Sequence, residues 1–208
     1  MTLPRALDAV LFDLGNVLIR WDWRVALSGV CSVEEVDRFA VEAGFADVNR
    51  RLDAGWPWDE AVAELAARDP WLGEMLARYR RRYRHSLRGS PPGMDALVAE
   101  LRDAGLRLIG LTNWSAEMWP PPPGASAAVD ALDGVVVSGI EGVSKPDRRI
   151  FRIAIDRYRL DPARTLFVDD HAPNVWAALA LGFAAVPFTG ADDLRRTLAI
   201  RGVAVTAP

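Results

Sequence analysis

The chain has 208 residues, 50% of them hydrophobic and 25% charged, with a formal net charge of −3, which suits one ordinary domain or a core with a small appended module. These values exclude a disordered chain, a collagen-like repeat and a membrane protein, and the mild acidity argues against nucleic acid as the main partner. The single Cys31 cannot pair within the chain, residues 1–5 lack the regions of a signal peptide, and no uncharged apolar run reaches the roughly 18 to 20 residues of a membrane span, so the expected setting is a reducing cytoplasm.

The first apolar run, 9–12, reads as a buried strand ending in Asp13. From about 20 to 88 no strand-like run occurs. Instead 33–54, 59–68 and 71–87 carry helical patterns, and five of the eight tryptophans (Trp21, Trp23, Trp56, Trp58, Trp71) fall here. The pattern predicts a helical cap, residues 20–88, inserted into a core made of residues 1–19 and 89–208. An insertion at the first crossover lies over the carboxyl ends of the strands, where open α/β sheets bind ligands and where a lid is useful. The plainer alternative is a bundle that only extends the core. The tryptophans pose the same choice between packing and an aromatic wall that stacks on a sugar face. Arg78, Arg80, Arg81, Arg82, Arg84 and Arg88 form a basic stretch. Tyr79 and Tyr83 share one side of it, the pattern of a helix with two buried tyrosines and a solvated basic face.

Beyond residue 88, strand-like runs at 106–111, 135–137, 165–168 and 184–186 alternate with helical patterns. One helix carries Leu97, Val98 and Leu101 on one face before Gly105, a second carries Ile150, Ile153, Ala154 and Tyr158, and a third runs from Pro173 to Gly182. The proline run 120–123 forces an extended connection. The expected fold class is therefore α/β: a Rossmann-like parallel sheet with helices on both faces and a helical cap inserted after the first strand.

The polar residues that end the strands carry the chemistry. Strand one ends in Asp13, strand two in Thr112-Asn113, Lys145-Pro146-Asp147 follows the third, and the fourth ends in Asp169-Asp170. Carboxylates directly after buried strands imply a metal site or ion pairs with basic residues. Oxygen ligands without a His or Cys cluster favour Mg²⁺, and an amine with a Thr/Asn pair in the same crevice would complete an oxyanion clamp.

In order and spacing, Phe12-Asp13-Leu14-Gly15-Asn16-Val17, Leu111-Thr112-Asn113, Lys145-Pro146-Asp147 and Phe167-Val168-Asp169-Asp170 resemble the four motifs of the haloacid dehalogenase-like (HAD) hydrolases. The form of the first motif and the stretch Thr112-Asn113-Trp114-Ser115 are most similar to helical-cap phosphatases of the α-glucose-1-phosphatase type. The resemblance implies that Asp13 attacks phosphorus and forms an aspartyl-phosphate that water then cleaves. It implies a Mg²⁺ ion held by Asp13, Asp170 and the Gly15 carbonyl, with Asp169 steadying the loop or Lys145 and Asn174 bracing the site from behind. Thr112 and the Asn113 amide would hold phosphoryl oxygens, Trp114 would border the phosphate, and Lys145 would neutralise the charge gathered there. Lys145 is the one lysine among 25 basic residues, and a compact ammonium fits between carboxylate and phosphoryl group where a planar guanidinium is a poor replacement.

One position departs from the family pattern. Most family phosphatases carry a second Asp two residues after the nucleophile, which protonates the leaving group and later activates water; here that position is Gly15. General acid–base help is worth about 10²- to 10⁴-fold, so its loss implies a slower enzyme or one restricted to good leaving groups such as a sugar 1-phosphate or an acyl phosphate. Asp22, His171 and bound water are the candidate substitutes. The expected function is a Mg²⁺-dependent phosphatase acting on a small phosphorylated metabolite, with sugar phosphates among the candidates. One alternative is a 2-haloacid dehalogenase, which uses the same nucleophile on carbon without a metal. The other is a catalytically silent sugar-phosphate-binding regulator, against which the retention of Asp13, Lys145 and Asp170 argues.

Overall fold

The computed structural model describes residues 6–206; the reading of residues 1–5 lies outside the described residues. Five strands, β1 (Ala9–Phe12), β2 (Arg107–Thr112), β3 (Gly134–Val137), β4 (Thr165–Asp169) and β5 (Ala184–Pro187), form one parallel sheet in the order β3-β2-β1-β4-β5. All five lie within a residue of the predicted runs. Their apolar continuity has a direct cause: β1 is central, and all of its residues are buried between two packed layers. The helices α1 (Trp23–Leu27), α2 (Val33–Glu42), α3 (Phe45–Asp53), α4 (Trp58–Arg68) and α5 (Pro70–Arg82) precede β2, as does α6 (Met94–Asp103). Then come α7 (Ala127–Asp130), α8 (Ser138–Glu141), α9 (Arg148–Tyr158), α10 (Ala172–Leu179) and α11 (Ala191–Ile200). One face of the sheet packs on α6 and α11 through Leu97, Leu101, Leu194 and Leu198, the other on α9 and α10 through Ile150, Phe151 and Ala178.

Helices α1 to α5 enclose a separate apolar cluster around Phe39, Leu65, Leu76 and Tyr79. The predicted single helix 33–54 is two helices. Gly44 sits between them at φ +63, a conformation glycine adopts without steric cost, and turns the chain so that α2 and α3 both present apolar faces to this cluster. The helix predicted over 71–87 ends at Arg82 and tightens into a 3₁₀ turn, Tyr83–Ser86. The two chain crossings between the cluster and the sheet run side by side. Arg20 N–H donates to the Gly89 carbonyl at 2.8 Å, Arg88 N–H to the Arg20 carbonyl at 2.8 Å, and Asp22 N–H to the Ser86 carbonyl at 2.9 Å.

The arginine stretch is tied down by local partners. Arg80 bridges Asp59 and Glu117, Arg81 pairs with Glu74, and Arg82 donates to the Ala26 carbonyl, while Tyr79 is fully buried. Trp58 is packed into the cluster, with its indole N–H on Ser115 Oγ at 2.8 Å. Arg51 stacks on Trp56 and Arg38 on Trp71.

Candidate active site

Strand register brings the acidic residues together. Phe12 pairs with Val168, so the next residues, Asp13 and Asp169, emerge side by side, and Asp13 N–H donates to the Val168 carbonyl at 2.8 Å. Lys145 reaches between them, its Nζ 2.8 Å from Asp13 Oδ1 and 2.7 Å from Asp169 Oδ2. Its side chain is 1% exposed, so burial opposes its charge, but the two carboxylates outweigh that penalty and hold the ammonium above the usual lysine range. Burial pushes the Asp13 carboxyl up to about 7; Lys145 opposes the rise, while Asp169 and Asp170 add to it.

Each neighbour has a distinct task. Asp169 is fully buried and committed: Oδ1 accepts from His171 N–H at 2.8 Å, Oδ2 from Lys145, and both from Asn174 Nδ2 at 3.0 Å. Asp170 stands at the solvent side of the loop, its carboxyl also raised, by partial desolvation and by Asp169, against the pull of Lys145. Thr112 is buried at the end of β2. The Asn113 side chain differs from the sequence expectation. Its Nδ2 donates to the Lys145 carbonyl at 3.0 Å and its Oδ1 accepts from Lys145 N–H at 2.8 Å, so it splints the lysine backbone instead of standing free for a phosphoryl oxygen. Trp114 is buried edge-on to Tyr83, with an indole N–H that has no hydrogen-bond partner among the described residues. Of the candidate acids, the Asp22 side chain caps α1 by accepting from Arg24 N–H at 3.0 Å, and His171 stands at the head of α10.

A divalent cation fits this donor set. One carboxylate oxygen from each of Asp13, Asp169 and Asp170 lies within 4.8 Å of the others. Asp169 is already saturated by hydrogen bonds, whereas Asp13 Oδ1 alone is engaged, by Leu14 N–H at 2.7 Å and by Lys145, and Asp170 is open. Asp13 and Asp170 thus offer oxygen ligands of the type hard cations prefer.

Two cavities border the loops that carry these residues, at Gly15, Asn113 and His171. The smaller, about 80 Å³, is walled by Gly15, Trp21, Asp53, Tyr83, Asn113 and Trp114. The larger, about 640 Å³, includes Trp21, Trp23, Phe45, Asp53 and His171, and the two share Trp21, Asn49 and Asp53. Trp21, Trp23, Phe45, Tyr83 and Asp53 come from the helical insertion, Trp114 from the loop after β2, and Asp13, Asp169 and Asp170 from the ends of the sheet. The loop after β2 packs directly on Gly139, where a Cβ would run into Ala116 N and Trp114 O and displace that loop. Ser138 Oγ, next to it, accepts from Trp114 N–H at 2.9 Å and donates to the Asp53 carbonyl. Sequence reasoning missed Asp53 and Asn49 because, on an amphipathic helix, they read as part of the solvated face.

A family model described as haloacid dehalogenase-like hydrolase matches residues 7–182. The chain belongs to the HAD-like hydrolases. It is an enzyme of that family. It is 26% identical over 203 residues to the sesquiterpene phosphatase astK of Aspergillus oryzae, covering 93% of this chain and 94% of that one. The HAD family enzyme bt-2542 of Bacteroides thetaiotaomicron, solved with magnesium and inorganic phosphate, superposes with a TM-score of 0.69 at 21% identity, over 92% of this chain and 99% of that one. The L-2-haloacid dehalogenase of Xanthobacter autotrophicus, with chloropropionic acid covalently bound, superposes at 0.64 with 20% identity over 96% and 85%. At such identities the two structures establish the shared fold. No helix among the described residues is long and apolar enough to cross a membrane.

Proposed function

We propose that this HAD hydrolase is a Mg²⁺-dependent phosphatase of a small phosphorylated metabolite, working through a phosphoryl group carried on Asp13. The observation that supports it most is the placement of Lys145 between Asp13 and Asp169 with Asp170 open beside them. That arrangement pairs an anionic nucleophile with a fixed cation and leaves oxygen ligands for a metal. Asp13, Asp170 and the Gly15 carbonyl would hold Mg²⁺, which when bound neutralises phosphate charge and orients the phosphoryl group. Lys145 keeps Asp13 aligned and screens the approach of one anion to another. Thr112 and the backbone at Asn113 supply the remaining contacts to phosphoryl oxygens. Asp169 and Asn174 hold Lys145 in place. Residues 20–88 act as the cap that selects the leaving group, while residues 1–19 and 89–208 carry the chemistry.

The aromatic walls suit a carbon-rich leaving group. Trp21 and Trp23 could stack on a sugar face, and the likeness to a sesquiterpene phosphatase adds isoprenoid phosphates to the same class. The unpaired Cys31 fits a cytoplasmic setting. The test is phosphate release from a panel of aryl, sugar, acyl and isoprenoid phosphates, with Mg²⁺ and with chelator. Metal-dependent release is expected. Metal-independent halide release from 2-chloropropionate would replace this reading with a dehalogenase. Tight Mg²⁺-dependent sugar-phosphate binding without turnover would replace it with a regulator.

A further inference from the structure

The core has no proton donor two residues beyond its nucleophile, yet the space for one remains. A Cβ built on Gly15 meets nothing within 4 Å, and Gly15 lines the smaller cavity. Asp53, the last residue of α3, forms another wall of that cavity and also borders the larger one. Its Oδ2 accepts from Asn49 Nδ2 at 2.9 Å, and the backbone N–H of Ser115, two residues past Asn113, lies near enough to favour its charged form. No Lys, Arg or His pairs with it among the described residues, although ion pairs tie down neighbouring acids of the cap, including Asp47, Asp59 and Glu64. A carboxyl group that borders the reaction chamber and is held only by neutral donors is equipped to carry a proton.

We propose that Asp53 is the general acid of this hydrolase, supplied by the cap in place of the core residue that Gly15 cannot provide. The role rests on the phosphatase reading above. As an Asp13 oxygen bonds to phosphorus and the bond from phosphorus to the leaving-group oxygen breaks, the Asp53 carboxylic acid gives its proton to that oxygen, and the alcohol departs neutral. Asp53, now a carboxylate, takes a proton from the water that hydrolyses the aspartyl-phosphate. That step releases inorganic phosphate and restores both residues.

The surroundings favour the protonated form. Burial is the main cause that lifts the Asp53 carboxyl, to about 8; the Ser115 N–H and Asn49 work against the rise, and Asp13 adds to it. The other titratable or charged groups around it are Tyr79 of α5, Tyr83 of the 3₁₀ turn, His171 at the head of α10 and Arg24 of α1. Burial raises both tyrosines, so they stay neutral where Asp53 titrates.

The test compares wild type with Asp53→Asn on Mg²⁺-supported hydrolysis of p-nitrophenyl, phenyl and alkyl phosphates across pH. The loss in kcat/KM should grow with the basicity of the leaving group, reaching about 10²-fold or more for the alkyl ester. It should be much smaller for p-nitrophenyl, whose oxygen leaves without a proton. The alkaline limb near the Asp53 titration should vanish in the variant. Gly15→Asp in the Asp53→Asn background should restore turnover of the alkyl ester. An equal loss on all three esters with the limb retained would make Asp53 a structural latch and overturn the role, as would full activity. If Asp53→Asn does not fold, Asp53→Glu gives the same reading: a steeper dependence on leaving group supports the role and an unchanged one overturns it. Wild type that releases phosphate from none of the esters would bring down the phosphatase reading and this role with it.

Discussion

Aspartates at the end of the sheet and an aspartate of the helical insertion lie near one another with different partners. Asp13 and Asp169 are joined by Lys145 at 2.8 and 2.7 Å, a charge-assisted pairing that makes burial of three ionisable groups tolerable. Asp53 has the Asn49 amide as its hydrogen-bond donor, the Ser115 N–H nearby, and no ion-pair partner among the described residues. Burial raises both carboxyls; beside Asp13 the Lys145 ammonium opposes the rise and fixes the side chain, and at Asp53, where no cation does so, the carboxyl reaches about 8.

Four substitutions would break or sharpen that contrast. Asp13→Asn removes the attacking oxygen and should lower phosphate release by about 10⁴-fold or more, as loss of a nucleophile does elsewhere, measured under saturating Mg²⁺. Lys145→Arg keeps the charge but cannot place a planar fork in a site 1% exposed between two acids; it should lose about 10²- to 10³-fold in kcat, the size of a lost electrostatic stabiliser, with an unchanged far-ultraviolet circular dichroism spectrum. Gly15→Asp in the wild-type background adds an acid in free space. Because Asp53 already works there, the gain on alkyl phosphates should stay below about 10²-fold, the low end for acid catalysis.

The smallest effect is on stability. The Asp53 carboxyl is raised from 3.8 to about 8 on folding, so between these values the folded chain retains a proton that the unfolded chain has released. Its stability contribution is therefore full below the lower value and is lost as pH rises through about 8. Asp53→Asn removes that loss. A series of melts from pH 5 to 8 should show a shallower fall for the variant, with a gap at pH 8 of about 2–4 °C for each kcal/mol regained. Asp13 shifts in the same direction and preserves part of the slope in both proteins.

The sheet was legible because strands buried on both faces must be continuously apolar, and because Asp13, Thr112 and Asp169 sit where those runs stop. What periodicity does not encode is contact across distant segments. Asn113 looked like a phosphate donor, and only the folded loop shows its side chain wrapped on the backbone of Lys145. Asp53 shares a helix with the exposed Asp47 and Arg50, and nothing in its spacing separates it from them. Its half-buried place arises from α3 docking on the start of α8, where Ser138 Oγ donates to the Asp53 carbonyl, and beside Ser115 in the loop after β2. Gly44 was hidden in the same way, since one glycine in an amphipathic run is compatible with a continuous helix until the packing of α2 and α3 demands a turn.

The most direct test of the proposed mechanism is the mass of acid-quenched enzyme caught during turnover of a phosphate monoester with Mg²⁺. The account predicts an added phosphoryl group on the peptide containing Asp13, absent with chelator and absent in Asp13→Asn. A phosphoryl group on another residue, or rapid phosphate release with the Asp13 peptide never modified, would contradict it.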